Sequence, residues 1–121
     1  LYSKNSRPPS IETADRKIVY DDGTQRVEIY DVGPTPHAAQ ILVAYFPKQK
    51  TLHVADLWDT ATPQQAIAGV DGEALMREIN RLGLDVRRMT PVHGVPVSGE
   101  ALIRGLAVRA KHVAADGGGE R

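Results

Sequence analysis

The chain has 121 residues, enough for one domain or part of one. Fifteen basic residues balance fifteen acidic ones, 41% of the residues are apolar, and cysteine is absent. Disulfides and thiolate metal sites are thereby excluded, and no clustered basic footprint marks a nucleic-acid surface. No apolar run approaches the roughly 20 residues that span a bilayer, so neither nucleic acid nor membrane is an expected partner. The first residue is Leu1 rather than methionine, which suggests a processed product or a fragment.

Residues 1–15 are polar, contain Pro8-Pro9 and lack periodicity, so a linker or loop is expected. A short β-type run at 16–20 is followed by Asp21-Asp22-Gly23-Thr24, whose Asp-Gly pair supplies positive φ, and then by an alternating run at 25–30. Val27 and Ile29 share one face of that run, and Arg26, Glu28 and Tyr30 share the other; a β-hairpin is expected.

Pro34 and Pro36 end the second strand because neither has an amide to donate, and the loop they shape delivers His37. Residues 41–46 are almost entirely apolar, as in a strand buried on both faces. A turn at 47–50 leads to a strand at 51–55 that closes on Asp56. Thr62, Pro63 and Gln65 form a capping-box pattern for a short helix that Gly69 ends. Asp71 is expected to cap a helix at 72–82, with Leu75, Ile79 and Leu82 inward and Gly83 as its stop.

A strand at 85–89 then runs into Pro91-Val92-His93-Gly94. Ser98 is expected to cap a last helix reaching about residue 115, with Leu102, Ile103, Leu106, Ala110 and Val113 as its stripe. Residues 116–121, with three consecutive glycines, read as a flexible tail, leaving 16–115 as the folded unit. Strands followed by helix, strand and helix predict an α+β fold, a mixed sheet with helices on one face. The opposite face carries apolar residues too, so something should cover it.

Two histidines, His37 and His93, occupy loops directly after strands, and Asp56 ends a strand. A carboxylate there is costly without a cation or amide donors. Two imidazoles and a carboxylate at strand ends make a ligand set suited to a borderline metal, although zinc prefers four ligands. His53 reads as strand packing, His112 as a solvated helix residue, and Asp31 and Asp59 as turn formers.

Gly33-Pro34-Thr35-Pro36-His37, the strand–turn–strand ILVAYFPKQKTLHVAD ending on Asp56, and Pro91-Val92-His93-Gly94 occur in the order found in metallo-β-lactamase-fold hydrolases. Across residues 14–106 the chain resembles the C-terminal half of that family. The resemblance implies half of an αββα sandwich and a dinuclear, usually zinc, centre in which His37 binds one metal, His93 the other, and Asp56 bridges them as the catalytic carboxylate. It also implies a small-molecule substrate. The family's H-x-H-x-D-H cluster belongs to the N-terminal half and is absent here, so this chain alone is expected to be inactive and not to bind metal tightly. The expected partner is the missing N-terminal half, or a second copy of the chain in a non-catalytic homodimer; an inert surface-binding domain is the third reading.

Overall fold

A computed structural model of the chain describes residues 7–63 and 65–117. Six strands form one sheet in chain order: β1 Lys17–Asp21, β2 Arg26–Asp31, β3 Leu42–Phe46, β4 Thr51–Val54, β5 Arg88–Pro91 and β6 Val97–Ser98. All neighbours are antiparallel except β4 and β5, which run parallel across the connection containing α1, Val70–Leu82. The second helix, α2, spans Glu100–Gly117.

The β1–β2 turn forms as its residues dictate. Gly23 has φ 84°, the Asp21 carboxylate accepts from the Gly23 amide, and the Asp22 carboxylate accepts from the Thr24 and Gln25 amides. Those two backbone bonds hold the Asp22 carboxyl below its ordinary range. At the other end of the chain's first helix, Gly83 takes the left-handed position, and its amide and that of Leu84 close onto Asn80 and Ile79.

Both helices pack on one sheet face. Leu75 and Ile79 from α1 and Leu102 from α2 meet Tyr30, Val43, Tyr45, Leu52, Val54 and Met89 in a single core. The inward face of β2 is the one carrying Glu28 and Tyr30, not Val27 and Ile29. Burial is tolerable for Glu28 because it is paired: Arg26 and Lys17 approach its Oε2 at 2.8 and 3.3 Å, and the Tyr30 hydroxyl donates to Oε1 at 3.1 Å. Burial pushes the Glu28 carboxyl up, and Arg26, Lys17 and Tyr30 outweigh it, so the net shift is downward.

Among the described residues no helix lies on the opposite face. Ile18, Tyr20, Val27, Ile29, Leu42 and Phe46 lie along it, with Leu42 and Tyr20 about half exposed. The strand expected to be buried on both faces is therefore covered on one only: Val43 and Tyr45 are in the core, whereas Leu42 is not. Residues 7–14 form no regular element; the Tyr20 hydroxyl donates to Glu12 at 2.6 Å, drawing this segment to the helix-free side.

Several expectations are corrected. The Thr62 segment makes one turn and no helix: Thr62 Oγ1 accepts from the Gln65 amide and its carbonyl from the Ala66 amide, and the chain then leaves helical geometry. Residue 64 lies outside the described residues. Asp71 does not cap α1, whose N-cap is Gly69 without a side-chain bond. The strand expected at 85–89 begins three residues later: the parallel register starts at Thr51–Arg88, the Arg87 and Arg88 amides donate to the Lys50 carbonyl, and the Asp85 side chain pairs with Lys50 (2.6 Å).

Ser98 is not a helix cap but a sheet residue paired with Arg88, in a strand too short to show a period. On α2 the inward positions are Leu102 and Gly105 with Leu106 partly covered; Ile103, one residue from Leu102, faces outward, and Ala110 and Val113 lie in the exposed second half of the helix. Asp116 and Gly117 belong to α2; the rest of the expected tail lies outside the described residues.

Two outcomes test this packing. Leu102→Asp places an unpaired charge at a fully buried site and should cost about 3–5 kcal/mol, enough to abolish a cooperative urea transition, whereas Ile103→Asp should stay within about 0.5 kcal/mol of the parent. Glu28→Gln should destabilise at neutral pH by roughly 1–2 kcal/mol. Because the folded Glu28 carboxyl sits below its ordinary 4.5, its stabilisation is present above that value and disappears as pH falls through the folded value; the two proteins should converge in acid.

Candidate functional site

The site is set by the one parallel pair in the sheet. Strands β4 and β5 run in the same direction, so both polypeptides leave the sheet at the same end, and the Val92 amide donates to the Val54 carbonyl (3.0 Å) to extend the pairing past Pro91. Asp56 follows β4 by two residues and His93 follows β5 by two. The antiparallel register brings the end of β2 and the start of β3 to that same end, Asp31 facing Leu42. The loop that holds His37 therefore joins the sheet there as well. All three residues singled out by sequence share one end of the sheet.

Asp56 and His93 are brought face to face, with Asp56 Oδ1 and His93 Nε2 3.9 Å apart and both side chains more than half exposed. At that distance they are not hydrogen-bonded. Neither side chain makes another hydrogen bond among the described residues. Two donors on one tetrahedral zinc stand about 3.4 Å apart, so a closure of about half an ångström would let this pair share a cation. An oxygen and an imidazole nitrogen are the right donor types, but a pair is not a complete shell. Among the described residues no group of three or more His, Asp or Glu is close enough to hold a metal ion, and His37 is not gathered with the other two.

Local structure holds each residue. Asp56 has φ 59°, a left-handed conformation that costs a residue with a Cβ on the order of 1 kcal/mol and that aspartate tolerates better than most. His93 lies in a clamp: its carbonyl accepts from the Thr60 amide (3.1 Å), and Thr60 Oγ1 accepts from the Val95 amide and donates to the Val95 carbonyl. Gly94 makes the clamp possible. Its φ of 123° suits glycine alone, and a Cβ there would strike Thr60 Oγ1 and lie 2.7 Å from the Ala61 amide nitrogen.

The His37 loop is closed on itself. Asp31 Oδ1 accepts from the Gly33 and Ile41 amides, Val32 donates to Ile41, and Thr35 exchanges bonds with Ala38. The amide of His37 donates to Asp71 in the first turn of α1 (2.9 Å). Beside Asp56 an open groove of about 560 Å³ is lined by Glu12, Asp31, Gln40, Leu42 and Ala55 among others.

His53 points from β4 to the helix-free face, where its Nδ1 meets Thr90 Oγ1 at 3.1 Å; His112 is exposed on α2. Thr60 and Asp71 were not readable as site residues, because each acts on a partner 34 or 35 residues away.

No family model and no curated protein matches the chain. Solved structures do. A metallo-β-lactamase from Pontibacter korlensis is 24% identical and superposes with a TM-score of 0.62, covering 88% of this chain and 52% of its own. An archaeal metallo-β-lactamase superfamily protein from Sulfolobus tokodaii is 18% identical (TM-score 0.56; 78% and 38%). Rubredoxin oxygen:oxidoreductase from Desulfovibrio gigas is 15% identical (TM-score 0.62; 88% and 34%). This chain thus spans about half the length of the first of them and less of the others. At such identities the likeness speaks for architecture: the chain has the metallo-β-lactamase fold, in a partial form that is one mixed sheet with both helices on one side.

Proposed function

We propose that this chain is the C-terminal part of a metallo-β-lactamase-fold hydrolase and contributes His37, Asp56 and His93 to a dinuclear zinc centre whose other donors come from an N-terminal half. The reading is carried by the Asp56–His93 pair, two donors of suitable type at the ends of adjacent parallel strands, free of other hydrogen bonds among the described residues. His37 would hold one metal, His93 the other, and Asp56 would bridge them. Metals held there would supply water activation for hydrolysis of an ester, amide or phosphoester in a small-molecule substrate.

The chain's own residues keep the donors in place. Thr60 and Gly94 fix the backbone under His93, the left-handed turn at Asp56 fixes the carboxylate, and Asp31 closes the His37 loop. The groove beside Asp56 includes Leu42 of the helix-free face in its lining. The apolar helix-free face gives a second layer its footing.

A second reading rests on the shortage of donors: two copies stacked through the helix-free faces would bury the same apolar surface without forming a complete metal site. Light scattering on the chain alone separates the two. A stable dimer favours the second reading, and a monomer removes it.

With the N-terminal half supplied and no chelator used, the complex should carry close to two zinc ions. His93→Ala or Asp56→Ala should weaken zinc binding by at least about a hundredfold and remove hydrolysis, with the circular dichroism unchanged. Full zinc content in both variants would sink the ligand assignment. Gly94→Ala, by displacing the clamp, should cost about 1–3 kcal/mol in a urea titration and lower zinc content with it.

A further inference from the structure

We propose that β1 is a self-pairing edge: two copies of the chain join antiparallel along it, Val19 against Val19, and make one continuous sheet. Among the described residues β1 has one neighbour, β2, so its outer side is an open row of backbone donors and acceptors. The bonds at either end of the pairing say which residues face outward. The Asp31 amide donates to the Arg16 carbonyl and the Asp22 amide to the Gln25 carbonyl, so residues 16 and 22 bond inward, toward β2. Antiparallel pairs alternate, so Ile18 and Tyr20 also bond inward. Lys17, Val19 and Asp21 turn their amides and carbonyls to the open side.

The strand Lys17-Ile18-Val19-Tyr20-Asp21 is complementary to its own reverse. With Val19 on the two-fold axis, Lys17 lies opposite Asp21 of the second copy, and the outward residues of both strands meet as bonded pairs. Lys17 and Asp21 each have a partner in their own chain, Glu28 at 3.3 Å and Arg26 at 3.5 Å. Their side chains are still 44% and 43% exposed, which leaves room for a second partner. On the helix-free face Ile18 meets Tyr20 of the second copy, an aliphatic–aromatic pair, so the apolar face continues across the seam. The sheet's other edge, β6, has two residues and follows Pro96, too short to pair in this way. Residues 12–14, which precede β1, do not cover its edge: Arg16 turns the chain with φ 72°, and they line the groove beside Asp56 together with Asp31 and Leu42. A second layer packs on a face of the sheet and leaves this edge open, so the proposal does not depend on the metal centre.

A five-residue edge gives a small interface of the transient class. Sedimentation velocity of the chain should therefore show a reversible monomer–dimer equilibrium between about 10 µM and about 1 mM. Lys17→Glu and Asp21→Lys each set like charges opposite one another at both ends of the seam, and each alone should associate at least about tenfold more weakly. Mixed in equal amounts, the two variants place an acid opposite a base at both ends, and the affinity should return to within about threefold of the parent. Leu42→Glu, on the helix-free face and away from the edge, should keep the parent affinity, which separates this dimer from one stacked through the faces. The parent alone gives a second readout by NMR. As concentration rises, exchange of the Lys17, Val19 and Asp21 amides should slow several-fold, while Ile18 and Tyr20, already bonded to β2, change little.

A chain that sediments as a monomer up to about 1 mM overturns the proposal. So does a dimer whose charge variants associate as the parent does, whose variant mixture stays monomeric, or which Leu42→Glu alone dissociates. Where circular dichroism shows a charge variant to be unfolded, the parent's exchange pattern decides: equal slowing at all five residues of β1, or none, overturns the proposal as well.

Discussion

The parallel pairing of β4 with β5 is the constraint on which the rest of the molecule depends. In an antiparallel sheet successive strands exit at opposite ends, so residues that follow them are separated by a strand's length. One parallel pair breaks that alternation and needs a crossover, which α1 provides. The consequence is local and chemical: the polypeptides after Val54 and Pro91 emerge side by side, and Asp56 meets His93 although 37 positions separate them. The Thr60–Val95 clamp and the left-handed turn at Asp56 then keep these short exits from fraying.

The same sheet has two apolar faces and helices for only one. Leu75, Ile79 and Leu102 close one side over Leu52, Val54 and Met89, leaving Ile18, Tyr20, Val27, Ile29, Leu42 and Phe46 on the other without a helical cover. A sheet that is apolar on both sides belongs between two layers. That the chain spans about half the length of the Pontibacter structure it superposes on fits this imbalance. The two observations are independent, one from burial and one from comparison. An oxidoreductase stands among the structures with this fold, so the architecture alone does not choose a reaction.

Charge pairing shows how a polar residue is kept on the core side. Glu28 occupies an inward position that alternation would assign to an apolar side chain, and Arg26, Lys17 and the Tyr30 hydroxyl satisfy it together. Lys17 also lies 5.1 Å from the centre of the Tyr30 ring, so the same lysine serves the carboxylate and the aromatic face. All four residues belong to the β1–β2 hairpin, so the network ties its two strands together.

Features that depend on neighbouring residues were legible in the sequence: the Asp22-Gly23 turn, the stop at Gly83, the stripe of Leu75 and Ile79, the mixed sheet with helices on one face, and strand-end positions for Asp56 and His93. Local rules misled where a distant partner intervened. Asp85 pairs with Lys50 and lies outside β5, Ser98 pairs with Arg88 in a two-residue strand, Ile103 faces outward beside buried Leu102, and Ala110 and Val113 lie in the exposed second half of α2. Asp71, read as a cap, reaches instead to the His37 amide. The sequence by itself determined the first four strands, the Asp22-Gly23 turn and the two long helices, because hydrophobic period and turn chemistry act over a few residues. Which face of β2 is buried, which side chains meet at the sheet end, and which carboxylate holds which loop were decided only by tertiary structure, because each depends on contacts between residues that the chain order keeps apart.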